Sequence, residues 1–470
     1  MSGGQPLMQV EEGSFRDEHN RVYYEGDAVL RGVSAQALAD FNEYSQLPFF
    51  IDFMKKGRIV GTAVETDAAL TKGVIADGWA GVLRHERVPV ISYPYEWSFG
   101  MLKSAALLHL DILAKAIPAG WVLKDATAYN VQFVGARPCF IDVTSFERYR
   151  KGSPWGGYRQ FCMMFLIPLM LAAYRGIDFR PLMRSRLDGI DPAEAAKYFP
   201  RSAVLKPGVA AHVFLHARLQ SSYSEVEVDK KPAKAMNHSQ EMVLGVIDGL
   251  RRLVARLDLP KAVTAWSHYD ESHSYEDESY AKKQEFVRRH VSARRWGRVW
   301  DIGCNTGTFS KLCMPHADQV VSMDGDAIAI EKLYRQQRKD KTGNLTPMVM
   351  DLANLSPNQG WLGVERKSVE ARGTPDFLLC LALIHHMVIS ANIPLRSYIE
   401  WLRGLKAAIV LEFVGREDEM TRKLLRNKTK QHDDYTQENF ERVVLEMFTI
   451  KEAMPLKGGL RTIYYLEPKA

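Results

Sequence analysis

Cysteine is scarce: Cys139, Cys162, Cys304, Cys313 and Cys380 are the only five in 470 residues, and no two form a CxxC pair. An odd, scattered set excludes a disulfide framework and a structural zinc site, so reduced thiols are expected. Long apolar runs are also missing. The most lipid-like stretch, FCMMFLIPLMLAAY from Phe161 to Tyr174, contains Pro168 and falls short of the roughly 20 residues of a spanning helix. A buried core helix is expected there, with no membrane insertion. The opening MSGGQPLMQVEEGSF lacks a basic region followed by an apolar run, so it is not read as a secretory signal and the cytoplasm is the expected compartment. Charge of one sign is not in excess either. A net +6 does not by itself imply nucleic acid.

What is present is a globular composition, 46% hydrophobic and 25% charged, in a chain long enough for two or three domains. An early hairpin is expected around FRDEHNRVYYE. SFGMLKSAALLHLDILAKAI places Leu102, Ala106, Leu110, Leu113 and Ile117 on one helical face, with Ser98 as N-cap and Pro118 and Gly120 closing the helix. Val131 to Val134 and Cys139 to Val143 flank a GARP turn and read as a second hairpin. The polar segment from Gln220 to Ser239 reads as a linker. After it, MVLGVIDGLRRLVARL sets Val243, Val246, Ile247, Leu250, Val254 and Leu257 on one face of a bridging helix. From residue 262 short apolar runs alternate with helical segments, the rhythm of a parallel sheet covered on both faces. The expected domains are 1–219 (α+β), a linker and bridging helix over 220–261, and an α/β domain over 262–470.

The most informative stretch is VWDIGCNTGTFS, residues 299 to 310. It reads as strand, glycine turn and helix. A dinucleotide pyrophosphate generally uses GxGxxG, but position 305 is asparagine where the second glycine would stand. S-adenosylmethionine carries an amino-acid end, a ribose and an adenine, which call for hydrogen-bond acceptors instead. Asp301, at the end of the first run, can accept from an ammonium. Asp324 lies 17 residues past Gly307 at the end of the next run, where an acid takes both ribose hydroxyls. Asp351, ending the third run, can accept from the adenine amino group, with Met350 and Leu352 packing nearby.

On these residues the sequence resembles the class I S-adenosylmethionine-dependent methyltransferases, whose first motif, D-x-G-x-N/G-x-G, is matched by Asp301, Gly303, Asn305 and Gly307, with Thr306 inside the turn. The resemblance spans roughly residues 262 to 470. It implies a doubly wound, seven-stranded Rossmann-like sheet, with MFTIKEAMPLKGGLRTIYYLE as its antiparallel last hairpin. The combination of LKDATAYNVQF, the linker and this domain further resembles a bacterial group related to the nodulation protein NoeA.

Methyl transfer needs a base only when the acceptor is protonated. His385 and His386 follow the fourth strand and are candidates for that base, with Glu412 a weaker one; the upstream run SHYDESHSYEDESYAKKQEFV is read as folding over the cofactor, with Tyr275 and Lys283 as its candidates. The (N/D)PP(Y/F) motif of base amino-methyltransferases is absent, and Cys380 sits in an apolar run with no proline before it, so DNA is not an expected substrate. Arg288, Arg289, Arg294, Arg295 and Arg298 crowd the approach to the first strand and keep RNA open as a partner.

In LKDATAYN, Asp125 and Asn130 stand five apart, and Asp142 follows twelve residues later. This spacing resembles the catalytic loop of the kinase-like fold, implying Asp125 as base and Asn130 and Asp142 as magnesium ligands. The departures are Lys124 in place of arginine, Val-Thr after Asp142, and no convincing glycine-rich loop or VAIK-type lysine in the first 95 residues. The expected protein is therefore a cytoplasmic methyltransferase with a kinase-like accessory domain. It would use S-adenosylmethionine to methylate O or N of a small molecule or saccharide. A bifunctional kinase-methyltransferase using Mg-ATP, an RNA methyltransferase and a non-enzymatic binding module are the alternatives.

Overall fold

The computed structural model describes residues 8–218, 238–260, 277–341, 343–426, 428 and 432–469. Most of the expected linker and Tyr275 lie outside these. The chain divides into two compact units, one formed by residues 1–133, 137–261 and 359–366, the other by 134–136, 262–358 and 367–470.

The first unit is α+β. Its sheet joins β1 (Gln9–Val10), β2 (Asn20–Glu25), β3 (Ala28–Val33), β4 (Thr62–Val64) and β5 (Gly81–His85) in the antiparallel order β1-β2-β3-β5-β4. The β2–β3 turn needs a left-handed residue, and Gly26 supplies it at φ 55°. Tyr23, Leu30, Val74 and Val82 form a small core beneath the sheet. Ser98 caps the helix Phe99–Ala116 by accepting from Met101 N, and Gly120 ends the following turn at φ 86°. This helix is buried over most of its circumference, including Ser104, Ala105 and His109, with a narrow less buried stripe at Lys103, Leu107, Asp111, Ala114 and Lys115. Periodicity locates one apolar face, but small residues elsewhere on the helix let other elements close over it.

Four short strands follow: β6 (Trp121–Leu123), β7 (Val131–Val134), β8 (Arg137–Phe140) and β9 (Phe146–Arg148), with β6 paired to β9 and β7 to β8. The apolar run from Phe161 is a buried helix whose turn Cys162–Leu166 widens just before Pro168, where an N–H is missing. The helix Gln240–Arg256 buries Val243, Ile247, Leu250 and Val254, whereas Val246, at the margin of that stripe, is 48% exposed. Arg251 of this helix pairs with Asp111 at 2.7 Å.

The second unit is α/β. β10 (Trp296–Ile302), β11 (Ala317–Asp324), β12 (Leu345–Val349), β13 (Phe377–Cys380) and β14 (Ala408–Val414) run parallel; β15 (Phe448–Leu456) and β16 (Arg461–Pro468) complete a seven-stranded sheet in the order β12-β11-β10-β13-β14-β16-β15. β16 is antiparallel to both of its neighbours, so the last hairpin inserts its second strand next to β14. This is the sheet that the class I methyltransferase resemblance implies. The chain starts in the middle at β10, builds outward to β12, then crosses back to β13. The reversal leaves a crevice at the carboxyl ends of β10 and β13, where ligands of open α/β sheets bind.

A buried ionic chain ties this edge together. Lys283 donates to Glu412 at 2.5 Å, Arg461 donates to Glu412 at 3.3 Å, and Arg461 grips Asp418 through Nε at 2.8 Å and Nη2 at 3.1 Å. Burial pushes the Asp418 carboxyl up, but the hydrogen bond and charge of Arg461 outweigh it and hold it below the usual carboxylate range. The resulting stabilisation is present above the ordinary aspartate pKa and is lost as pH falls through the depressed one. Replacing Arg461 with methionine removes the nearest cation from buried Asp418, leaving it Lys457 at 3.4 Å and Met420 N, and leaves Glu412 to Lys283. Urea unfolding of the full chain is expected to show a loss of about 3–5 kcal/mol at neutral pH, and a loss below 1 kcal/mol would contradict this account.

Candidate functional site

The site begins where β10 ends. Asp301 and Ile302 finish the strand, and the chain then turns through Gly303, Asn305 and Gly307 at φ 74°, 50° and 81°. Asparagine tolerates the left-handed region better than most residues, which explains its place at 305. Gly303 N and Cys304 N both donate to Met323 O, at 2.8 and 3.1 Å, fastening the turn to the end of β11. Gly307 holds φ 81°, a conformation strained for any side chain, and a Cβ there would lie 2.7 Å from Leu333 Cδ1 and push that side chain aside, so glycine is favoured where the helix Thr308–Cys313 starts. Thr306, half-buried, lies within the same turn.

Three acids stand at successive strand ends. Asp301 is buried and accepts from Ser310 Oγ at 2.6 Å, with Ser322 Oγ behind it at 2.8 Å from Ser310 Oγ. Burial raises its carboxyl to about 7 despite the Ser310 hydrogen bond. Asp324 accepts from Asn305 N through Oδ2 and from Asp326 N through Oδ1, both at 2.8 Å. Burial pushes its carboxyl up, and the two N–H groups pull it back in part. Past β12, Met350 N donates to Asp324 O at 2.8 Å, and Met350 itself is buried. Asp351 is exposed, with Oδ1 accepting from Ala353 N at 2.9 Å, and Leu352 is half-buried beside it. The turn, Asp324 and Met350 thus form one hydrogen-bonded unit.

On the side of β13, Ala382 adopts φ 50° and the chain enters the turn that carries the two histidines. His385 is buried, its ring centroid lies 4.2 Å from that of His386, and neither of its ring nitrogens has a hydrogen-bond partner among the described residues. Burial, the His386 ring and the Arg461 charge hold its pKa well below the ordinary value. Burial likewise brings half-buried His386 to about 4. Both are neutral at physiological pH. Glu412 lies in the sheet with Lys283 and Arg461 on its two oxygens, which makes it a structural acid more than a base. Cys380 shares a 3.0 Å hydrogen bond with Tyr398 Oη, and burial pushes its thiol up to about 12, far from a thiolate nucleophile.

The arginines before and within β10 each meet a neighbour in this unit, Arg288, Arg289 and Arg295 in exposed surface pairs. Arg288 pairs with Glu285, Arg289 with Glu452 and Arg295 with Asp318, while Arg294 stacks 4.0 Å above Trp296 and Arg298 donates to Arg372 O at 3.3 Å.

In the first unit, Asn130 Nδ2 donates to Asp142 Oδ2 at 3.3 Å, so the structure brings that pair together. The other oxygen of Asp142 accepts from Arg31 Nη1 and Thr144 Oγ1, each at 2.9 Å. Lys124 is held by Asp17 at 2.8 Å. Burial, then the charge of Asp142, raises the Asp125 carboxyl. Arg31 was not legible in advance as part of this cluster. Its only signal is a single cation on the apolar-patterned strand β3.

No family model matches the chain. The nodulation protein NoeA of Rhizobium meliloti (strain 1021) is 32% identical over 461 residues, covering 97% of this chain and 95% of NoeA. Among solved structures, the N-methyltransferase NodS from Bradyrhizobium japonicum WM9 is 14% identical with a TM-score of 0.30, covering 41% of this chain and 99% of NodS. Magnesium protoporphyrin IX methyltransferase (ChlM) from Synechocystis PCC 6803, with bound SAH, is 18% identical with a TM-score of 0.29, covering 41% of this chain and 84% of its own. On the near full-length match at 32% identity, the chain belongs to the family of the nodulation protein NoeA.

Proposed function

We propose that the α/β unit is an S-adenosylmethionine-dependent methyltransferase acting on an oxygen or nitrogen of a small-molecule or saccharide acceptor. The observation that carries this reading is the set of acids at successive strand ends around a left-handed turn, at the crevice where the strand order reverses. When bound, the cofactor supplies a methyl group activated by its sulfonium sulfur. Asp324, whose carboxylate is fixed by Asn305 N and Asp326 N, retains lone pairs for the ribose hydroxyls. Asp351 accepts from the adenine amino group, with Met350 and Leu352 against the ring. Asp301 accepts from the ammonium of the amino-acid end, and Gly303, Asn305, Thr306 and Gly307 clear room for the backbone to approach.

His385, neutral and buried with unmatched ring nitrogens, is the candidate to accept a hydrogen bond from the O–H or N–H of an acceptor and so orient it, its depressed pKa making it a weak base, and His386 is the second candidate beside it. Holding the acceptor in line supplies most of the remaining acceleration. The RNA reading stands as the alternative, since Arg288, Arg289 and Arg295 form only surface ion pairs and stay half or more exposed. For the first unit we infer a kinase-related accessory fold without phosphoryl transfer. Asn130 and Asp142 meet as that fold requires, but Arg31 occupies the oxygen that a magnesium ion would take.

Calorimetric titration is expected to give micromolar binding of S-adenosylhomocysteine to the wild type and a loss of about tenfold to a hundredfold in Asp324→Ala, the size of one charge-assisted hydrogen-bond contact. Equal affinity in both proteins would refute the ribose role. Because the carboxyl of Asp301, raised to about 7, must ionise to receive the ammonium, affinity should strengthen as pH rises from 6 through 7 and level off above about 8. Asp301→Asn should flatten that dependence, and an unchanged slope would exclude Asp301 as its source. Incubation with Mg-ATP is expected to yield no hydrolysis above background. Turnover that disappears in Asp142→Ala would reinstate the bifunctional alternative.

A further inference from the structure

The helix Gln240–Arg256 of the first unit has two faces of different character. One buries Val243, Ile247, Leu250 and Val254, with Arg251 reaching Asp111 beside them. The other carries Met242, 55% exposed, and the exposed Val246, one turn apart, next to Gly245 and Gly249. A Cβ on either glycine would meet nothing within 4 Å among the described residues. Glycine inside a helix weakens it, and nothing in the packing of this unit calls for these two. Leu253 continues the same line, and the chain at Gly208 lies against it, since a Cβ there would be 2.5 Å from Leu253 Cδ2. Val204 and the 87% exposed Leu205, a few residues before Gly208, add apolar surface near that end. Contiguous exposed apolar surface of this kind marks an interaction site.

The shape of the face says what fits it. Residues four apart form a ridge on a helix, and the row beside it a groove. Met242 and Val246 are such a ridge, and Gly245 and Gly249 are a row without side chains. When a second copy of the helix runs antiparallel, with the twofold axis between residues 245 and 246, Met242 stands level with the partner's Gly249 and Val246 with the partner's Gly245. A large side chain then meets a missing one at every level, and symmetry repeats each contact. A surface that carries both the ridge and the groove it fits is complementary to itself, as a twofold contact requires. Charge agrees with this direction. Glu241 heads the glycine row, whereas Arg252 and Arg256 flank its far end, with Asp248 paired to Arg252 along the helix. Antiparallel pairing lays the acid of each copy beside the arginines of the other, and parallel pairing would bring like charges together.

We propose that this face is the interface of a homodimer, closed by antiparallel pairing of the helix Gln240–Arg256 with its own copy and widened by Val204 and Leu205. One helix pair with these additions falls below the roughly 800 Å² per partner of a standard interface, so the dimer is reversible.

Sedimentation velocity of the full chain at low salt is expected to give a dimer dissociation constant of about 1–100 μM. Val246→Glu and Gly249→Leu, both at open positions, are each expected to weaken the dimer at least about tenfold, with the melting temperature no lower than that of the wild type. Glu241→Arg and Arg252→Glu are each expected to weaken it about threefold to tenfold, and the double exchange to restore the wild-type constant within about threefold. A wild type that stays monomeric at about 200 μM would overturn the proposal. So would a dimer indifferent to Val246→Glu and Gly249→Leu, or a double exchange no tighter than its single variants.

Discussion

Everything at the proposed site depends on one backbone constraint, the turn that leaves β10. Three left-handed residues within five positions fold the chain back so that Gly303 N and Cys304 N reach Met323 O and Asn305 N reaches the Asp324 carboxylate. A side chain at 307 would be strained at that φ and would push Leu333 aside, disturbing the start of the helix that carries Ser310 to Asp301. The turn is thus both the joint between the first two strands and the surface on which a ligand can rest. Its geometry and its chemistry cannot be altered separately.

A second constraint is electrostatic. The ionic chain from Lys283 through Glu412 and Arg461 to Asp418 crosses from the helix before β10 to β14 and β16. It joins sequence-distant elements at the one edge where the crevice opens. Its cations also face the neutral His385 from the side of β16 and of the leading helix, which disfavours a proton on that ring. Burial and the His386 ring are the larger causes of that depression, Arg461 and Lys283 add to it, and Asp418 works against it.

Much of the α/β unit was legible in the sequence, because its information is local. Strand runs ending in Asp301, Asp324 and Asp351 announce both the sheet and its carboxyl edge, and the glycines at 303 and 307 announce the turn. What remained hidden depends on pairing across the chain. Arg31 meets Asp142 from 111 residues away, and Lys283 meets Glu412 from 129. No periodicity encodes such pairs, although a lone cation or acid in an apolar run, as in AVLRGV and AIVLEFV, is a usable warning. The helix Phe99–Ala116 shows the complementary limit, since its pattern reveals one apolar face and says nothing of what closes over the others.

The most direct test of the central claim is a crystal structure of the full chain grown with S-adenosylhomocysteine. The account predicts the ribose hydroxyls on Asp324, the adenine beside Met350 and Leu352, and the amino-acid end at Asp301. Ligand density elsewhere on the molecule, or an adenosine bound with its ribose away from Asp324, would contradict it.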